Sequence, residues 1–148
     1  WMNAKRGKQD FVCPDRWYEV KTIKTGRHTI TISSLDQLDR EDSGELAIVK
    51  LNETSTLSPA RVSLNSLHDE ILDSLPSGRL KDLFSEIMLA NGYEGDQRYD
   101  GIVFELASIE EYNVSNGFPR ITRSRLEIAA IVDASYEILI DQLVPFRM

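Results

Sequence analysis

A chain of 148 residues with 41% hydrophobic and 28% charged side chains has the makeup of an ordinary globular protein, long enough to bury roughly two thirds of its unfolded surface. Its single cysteine excludes an internal disulfide, and with only two histidines it offers no zinc-ligand cluster. A net charge of −7 argues against general nucleic-acid binding, yet Lys5, Arg6, Lys8, Arg16, Lys21, Lys24 and Arg27 crowd the first 27 residues and set a local positive potential there.

Residues 1–9 are polar and basic around Gly7 and read as an exposed arm. Strands are predicted at 9–12, 17–25 and 28–32, the last two joined by a tight turn at Gly26-Arg27. Trp17, Tyr18, Val20, Thr22 and Ile23 favour extended chain. Alternation puts Glu19 and Lys21 on one face of that strand and Tyr18, Val20 and Thr22 on the other. Cys13-Pro14-Asp15-Arg16 supplies a four-residue turn with proline in its second place. Such a turn sets Phe11 opposite Tyr18 and Asp10 opposite Glu19, with opposed Cβ atoms about 5 Å apart.

Two carboxylates and an ammonium thus converge on one patch. Asp10 and Glu19 could hold Mg²⁺ through hard oxygen ligands and leave positions for water and a phosphate. Lys21 could orient the attacking water or neutralise charge developing on the phosphate. The plainer alternative is a solvated hairpin face on which Lys21 only relieves repulsion between the two acids, since acid-x-Lys triplets are common.

Ser33 or Ser34 is expected to cap a short helix over 35–41, packed through Leu35 and Leu38, with Asp36 in its first turn. After Asp42-Ser43-Gly44, residues 45–52 read as a buried strand and 53–59 as a loop. Ser66 opens a helix whose stripe is Leu67, Ile71, Leu72 and Leu75; Pro76-Ser77-Gly78 breaks it. A second helix over 79–90 turns Leu80, Leu83, Phe84, Ile87 and Met88 inward and ends left-handed at Asn91-Gly92. Both helices are expected to form core, with His68 a polar surface residue. The remainder reads as β-rich: 99–107, 110–114 and a long apolar segment over 126–140. Residues 118–121 are expected to form a pinned loop; Arg120 or Arg123 could contact DNA phosphate, but a structural role is favoured, and 141–146 are expected to form a terminal helical turn. No repeat or linker appears, so one domain over 1–148 is expected, with a hairpin, helix and strand in 1–52 and a helical pair and strands in 53–148. No apolar run is long enough to span a membrane and no signal peptide opens the chain, so a cytoplasmic protein without a membrane partner is expected.

In order and spacing, Asp10-Phe11, Glu19-Val20-Lys21-Thr22 and Thr29-Ile30-Thr31-Ile32 leading into Ser33-Ser34-Leu35-Asp36-Gln37-Leu38 resemble the nucleases of the PD-(D/E)xK superfamily. More narrowly, they resemble the bacterial family of PD-(D/E)XK motif proteins. Asn91-Gly92-Tyr93 and Asn116-Gly117-Phe118-Pro119-Arg120-Ile121 are similar to that family's carboxy-terminal landmarks, so the resemblance runs from about Asp10 to Leu143.

The resemblance implies an α/β (α+β), restriction-endonuclease-like fold: a mixed sheet flanked by helices, with a β-rich carboxy-terminal part. It implies a Mg²⁺- or Mn²⁺-dependent endonuclease of restriction or phage-defence type acting on DNA. Asp10 would be the motif aspartate, Glu19 the second acidic ligand and Lys21 the catalytic lysine, with the metal on Asp10 and Glu19. Gln37 sits where some relatives place a helix-borne glutamine near the metal. Pro14-Asp15 spells the motif's literal dipeptide but sits at the turn, where Asp15 points away from the patch. The superfamily core begins with a helix and a strand before the motif aspartate, and residues 1–9 are too few for both. The chain is therefore expected to be the carboxy-terminal portion of a longer protein or a natural truncation, with Trp1 anchoring the arm on the missing part. A second possibility follows, a non-catalytic module of the same fold that binds a partner subunit or forms a homo-oligomer through exposed sheet.

Overall fold

A computed structural model describes residues 8–126 and 130–148; the expectation for Trp1, most of that for the arm over 1–9 and part of that for the segment 126–140 lie outside the described residues. Two strands come first among the described residues, β1 (Phe11–Val12) and β2 (Trp17–Lys24), paired antiparallel with Phe11 opposite Tyr18 and Val12 opposite Trp17. This is the register that the Pro14 turn predicts, and the turn is closed by the Cys13 N–H donating to the Arg16 carbonyl at 2.8 Å. In β2 burial alternates as the pleat requires: Trp17 and Glu19 are buried, and Tyr18 and Val20 only partly so.

The chain then runs through β3 (Thr29–Ile32), a single 3₁₀ turn at Leu35–Gln37, β4 (Gly44–Glu53), helices α1 (Leu64–Ser74) and α2 (Gly78–Ala90), β5 (Phe104–Val114) and β6 (Tyr136–Leu139). The main sheet has the order β1-β2-β4-β5. Where β2 and β4 both begin, the Trp17 N–H donates to the Ser43 carbonyl at 3.1 Å, so these two run parallel. The sheet is mixed, and with the helices it makes the α+β, restriction-endonuclease-like architecture expected from the sequence.

β3 departs from expectation. It does not continue the β1–β2 meander after the Gly26 turn but pairs antiparallel with β6, Ile30 opposite Ile138 and Ile32 opposite Tyr136, in a second sheet of two strands. The predicted helix over 35–41 is reduced to its first turn, and Ser34 makes no side-chain cap there. Among the described residues of the apolar segment 126–140 only the four of β6 are strand, and Ile131 and Val132 are exposed. Residues 97–101 form a 3₁₀ turn before β5 rather than the start of that strand.

The chain divides into two compact units. The first comprises the described residues of Trp1–Lys50 and Ala107–Met148, the second Leu51–Leu106. The first unit is built on a buried cluster that includes Trp17, Ile30, Ile32, Leu46, Ile48, Tyr112, Phe118 and Leu143. Each aliphatic member contributes roughly 1.5–3 kcal/mol by leaving water. Trp17 is wholly buried and its indole N–H donates to the Asp42 carbonyl at 3.1 Å. Its ring lies against Gly44 so closely that a Cβ there would sit 2.0 Å from ring carbon Cζ2. Arg120 is structural, as expected: its guanidinium donates to the carbonyls of Leu38 and Arg40.

In the second unit, α1 begins one turn earlier than predicted. Ser63 is its cap, and Ser66 closes a reciprocal capping box by accepting from the Ser63 N–H at 2.8 Å. The helical stripes are where the periodicity put them, but they are not buried: Leu67, Ile71, Leu80 and Leu83 are 41–47% exposed and Phe84 is the one buried residue of the two helices. His68 is no simple surface residue. Its ring stacks on Tyr93 at 4.5 Å and on Phe84 at 5.3 Å. Among the described residues no helix is long and apolar enough to cross a membrane.

Candidate active site

The β1–β2 hairpin and the 3₁₀ turn after β3 bring Asp10, Glu19, Lys21 and Gln37 to one place. Glu19 and Lys21 share the inward face of β2, two residues apart, and the Lys21 ammonium lies 2.9 Å from Glu19 Oε1. The same ammonium donates to Gln37 Oε1 at 2.9 Å, and that oxygen also accepts from the Ser33 N–H at 2.8 Å. Asp10, one step before Phe11 and so opposite Glu19, accepts from the Val20 N–H through Oδ2 at 2.8 Å.

Burial separates the members. Glu19 is 1% exposed, whereas Asp10 faces solvent. Burial pushes the Glu19 carboxyl above its ordinary range; Lys21 opposes that shift, and the nearby Asp10 charge adds to it. Oε1 is satisfied by Lys21, but Oε2 is buried without a hydrogen-bond partner, alone among the described side-chain atoms. A buried carboxylate oxygen left so is costly unless a cation or donor fills the place beside it. Asp15, by contrast, stands at the turn with its side chain 74% exposed beside Arg16, outside the group.

One contributor had no signal in the sequence. Gln9 is 5% exposed and its side-chain amide donates to the carbonyls of Asp36 at 2.7 Å and Gln37 at 3.3 Å, fixing the turn that carries Gln37. Its place beside the motif aspartate was visible, but a polar residue before a strand is equally expected in any loop. Asp36 is held from the other side: Arg123 and Lys8, each at 3.0 Å, keep its carboxyl below the usual range.

A divalent metal fits this donor set in part. The orphaned Glu19 Oε2 on β2 and the second oxygen of Asp10, just before β1, are hard ligands. No group of three or more His, Cys, Asp or Glu side chains that could hold a metal occurs among the described residues. Remaining positions would fall to water and substrate oxygens, as such ions accept.

The fold is consistent with a protein of the PD-(D/E)XK type. The chain belongs to the family described as "Putative PD-(D/E)XK family member, (DUF4420)", whose model matches residues 1–141. No curated protein and no solved structure shows significant similarity to it.

Proposed function

We propose that the chain is a metal-dependent endonuclease domain that hydrolyses DNA phosphodiester bonds, with Asp10 and Glu19 as metal ligands, Lys21 as the catalytic cation and Gln37 as its positioning partner. The observation that carries this reading is the buried, partnerless Glu19 Oε2 beside a lysine held by Glu19 and Gln37. A bound Mg²⁺ or Mn²⁺ would supply Lewis-acid polarisation of the phosphate and a water of lowered pKa. An ammonium has three donors. Glu19 and Gln37 engage two among the described residues, and the third is left for the attacking water or a phosphate oxygen. The water oxygen bonds to phosphorus as one P–O ester bond breaks, the water's proton passes to solvent, the leaving oxygen takes a proton from solvent and departs as an alcohol, and Lys21 offsets the negative charge that accumulates on the phosphate. Gln9 and the Ser33 N–H hold Gln37, so the ammonium does not reorganise during the reaction.

Cleavage of supercoiled plasmid in Mg²⁺ tests this. Lys21→Ala is expected to lose about 100- to 1,000-fold in rate or more, and wild-type-level cutting by that variant would overturn the assignment.

A second reading, a self-associating module, draws on the exposed Leu67, Ile71, Leu80 and Leu83 of α1 and α2. It predicts a dimer or larger assembly in light scattering; a monomer at micromolar concentration would count against it.

A further inference from the structure

The 3₁₀ turn that carries Gln37 spans only Leu35–Gln37, and Ser34 gives it no side-chain cap. So short a helical turn does not hold itself, and its place is set from outside. The Leu35 N–H donates to Asp133 Oδ1 at 2.9 Å, and Gln9 grips the carbonyls of Asp36 and Gln37. Arg123 reaches furthest. Its Nε donates to Asp36 Oδ1 at 3.0 Å, its backbone N–H to Asp39 Oδ2 at 3.0 Å and its Nη1 to the Val132 carbonyl at 2.7 Å. One residue thus ties together the turn, Asp39 two residues beyond it, and Val132, whose neighbour Asp133 holds the turn's first N–H. A lone exposed ion pair adds little to stability; three bonds converging on one turn fix a geometry.

We infer that Arg123 is a positioning residue for Gln37 and, through Gln37 Oε1, for the Lys21 ammonium that this oxygen meets at 2.9 Å. The inference rests on the nuclease reading for the reaction it serves, and it commits Arg123 to Asp36 rather than to DNA phosphate. Without Arg123 the turn is free to shift, and a misplacement of about 1 Å can cost roughly 100-fold in rate. The Ser33 N–H shares Gln37 Oε1 at 2.8 Å, so its hydrogen exchange reports on Gln37 independently of any reaction.

Two readouts on the intact chain test this: plasmid cleavage in Mg²⁺, resolved into kcat and KM, and exchange of single amides followed by NMR in metal-free buffer. Arg123→Met is expected to lower kcat about 10- to 100-fold with KM unchanged, and to strip the Ser33 amide of its protection. The Ile140 amide, which donates to the His28 carbonyl at 2.9 Å outside the turn, should keep its own. Asp36→Asn, a milder change, should move the same readouts in the same direction. In a Gln37→Ala background Arg123→Met should cost nothing further, because residues that act through one group are not additive. A raised KM with kcat unchanged would place Arg123 on DNA and overturn the inference. Equal acceleration at Ser33 and Ile140, the mark of general loosening, would overturn it as well, and so would losses that multiply in the Gln37→Ala background. If wild type cuts no DNA, faster exchange at Ser33 alone in Arg123→Met upholds the link to Gln37 while the hydrolytic reading falls. Unchanged exchange at Ser33 overturns the link whatever the cleavage.

Discussion

The two units of the chain divide chemistry and charge unequally. The unit of Trp1–Lys50 and Ala107–Met148 carries 14 acids against 13 bases, a net charge of −1, whereas Leu51–Leu106 has ten against four and stands at −6. Six of the seven net negative charges therefore belong to the second unit, and the objection that −7 raised against a polyanionic substrate falls on that unit rather than on the one that carries the candidate site. Burial divides the same way. All twelve residues of the buried cluster belong to the first unit, and the second places Phe84 and Val103 as its buried hydrophobics. The unit with the buried cluster holds the candidate site, and the acidic unit that contains α1 and α2 is thinly packed.

The comparison can be broken most severely at Gly44. An added methyl would meet the Trp17 ring at 2.0–2.6 Å, between strands that cannot move apart without losing the sheet. Gly44→Ala is expected to cost about 3 kcal/mol or more in urea denaturation, and near-wild-type stability would show that the first unit is not packed around Trp17. A second contrast concerns local opening. Amides of α1 and α2 should exchange with solvent well before those of β2 and β4, because little apolar surface holds the helices. Equal protection measured by hydrogen exchange would erase the distinction between the units.

A smaller effect lies in Glu19. Its raised carboxyl binds a proton more tightly folded than unfolded, so its contribution is most favourable below the unfolded value and is lost as pH rises through the folded one. Glu19→Gln removes that loss. The variant should match wild type below the unfolded carboxyl value and exceed it once pH has passed the folded one, while losing metal binding. Equal stability of the two proteins across the pH range would mean that Glu19 is not under strain. The least effect is expected at Ser63, where Ala removes one side of the α1 capping box at a cost of about 1 kcal/mol by thermal melting.

The hairpin and its site were legible because local rules govern them: proline sets the turn, the turn sets the register, and the pleat places Glu19 with Lys21. Contacts distant in sequence were not. β3 finds its partner 108 residues on, at Ile138, and no pattern within Thr29–Ile32 distinguishes β6 from β2 as the neighbour. The start of α1 was misplaced because its capping box uses Ser66 where Glu or Gln is the usual signature. Helical periodicity located the apolar stripes of α1 and α2 correctly, yet period alone does not say whether a stripe is covered, and Leu67 and Leu83 are not.

The central claim is that Asp10 and Glu19 form a metal site on this hairpin. Titration calorimetry with Mn²⁺ tests it most directly, on wild type and on Asp10→Ala, Glu19→Ala and Lys21→Ala. The account predicts binding by wild type and Lys21→Ala that both acidic variants lose. Binding that survives in Asp10→Ala and Glu19→Ala, or its absence from the wild type, would contradict it.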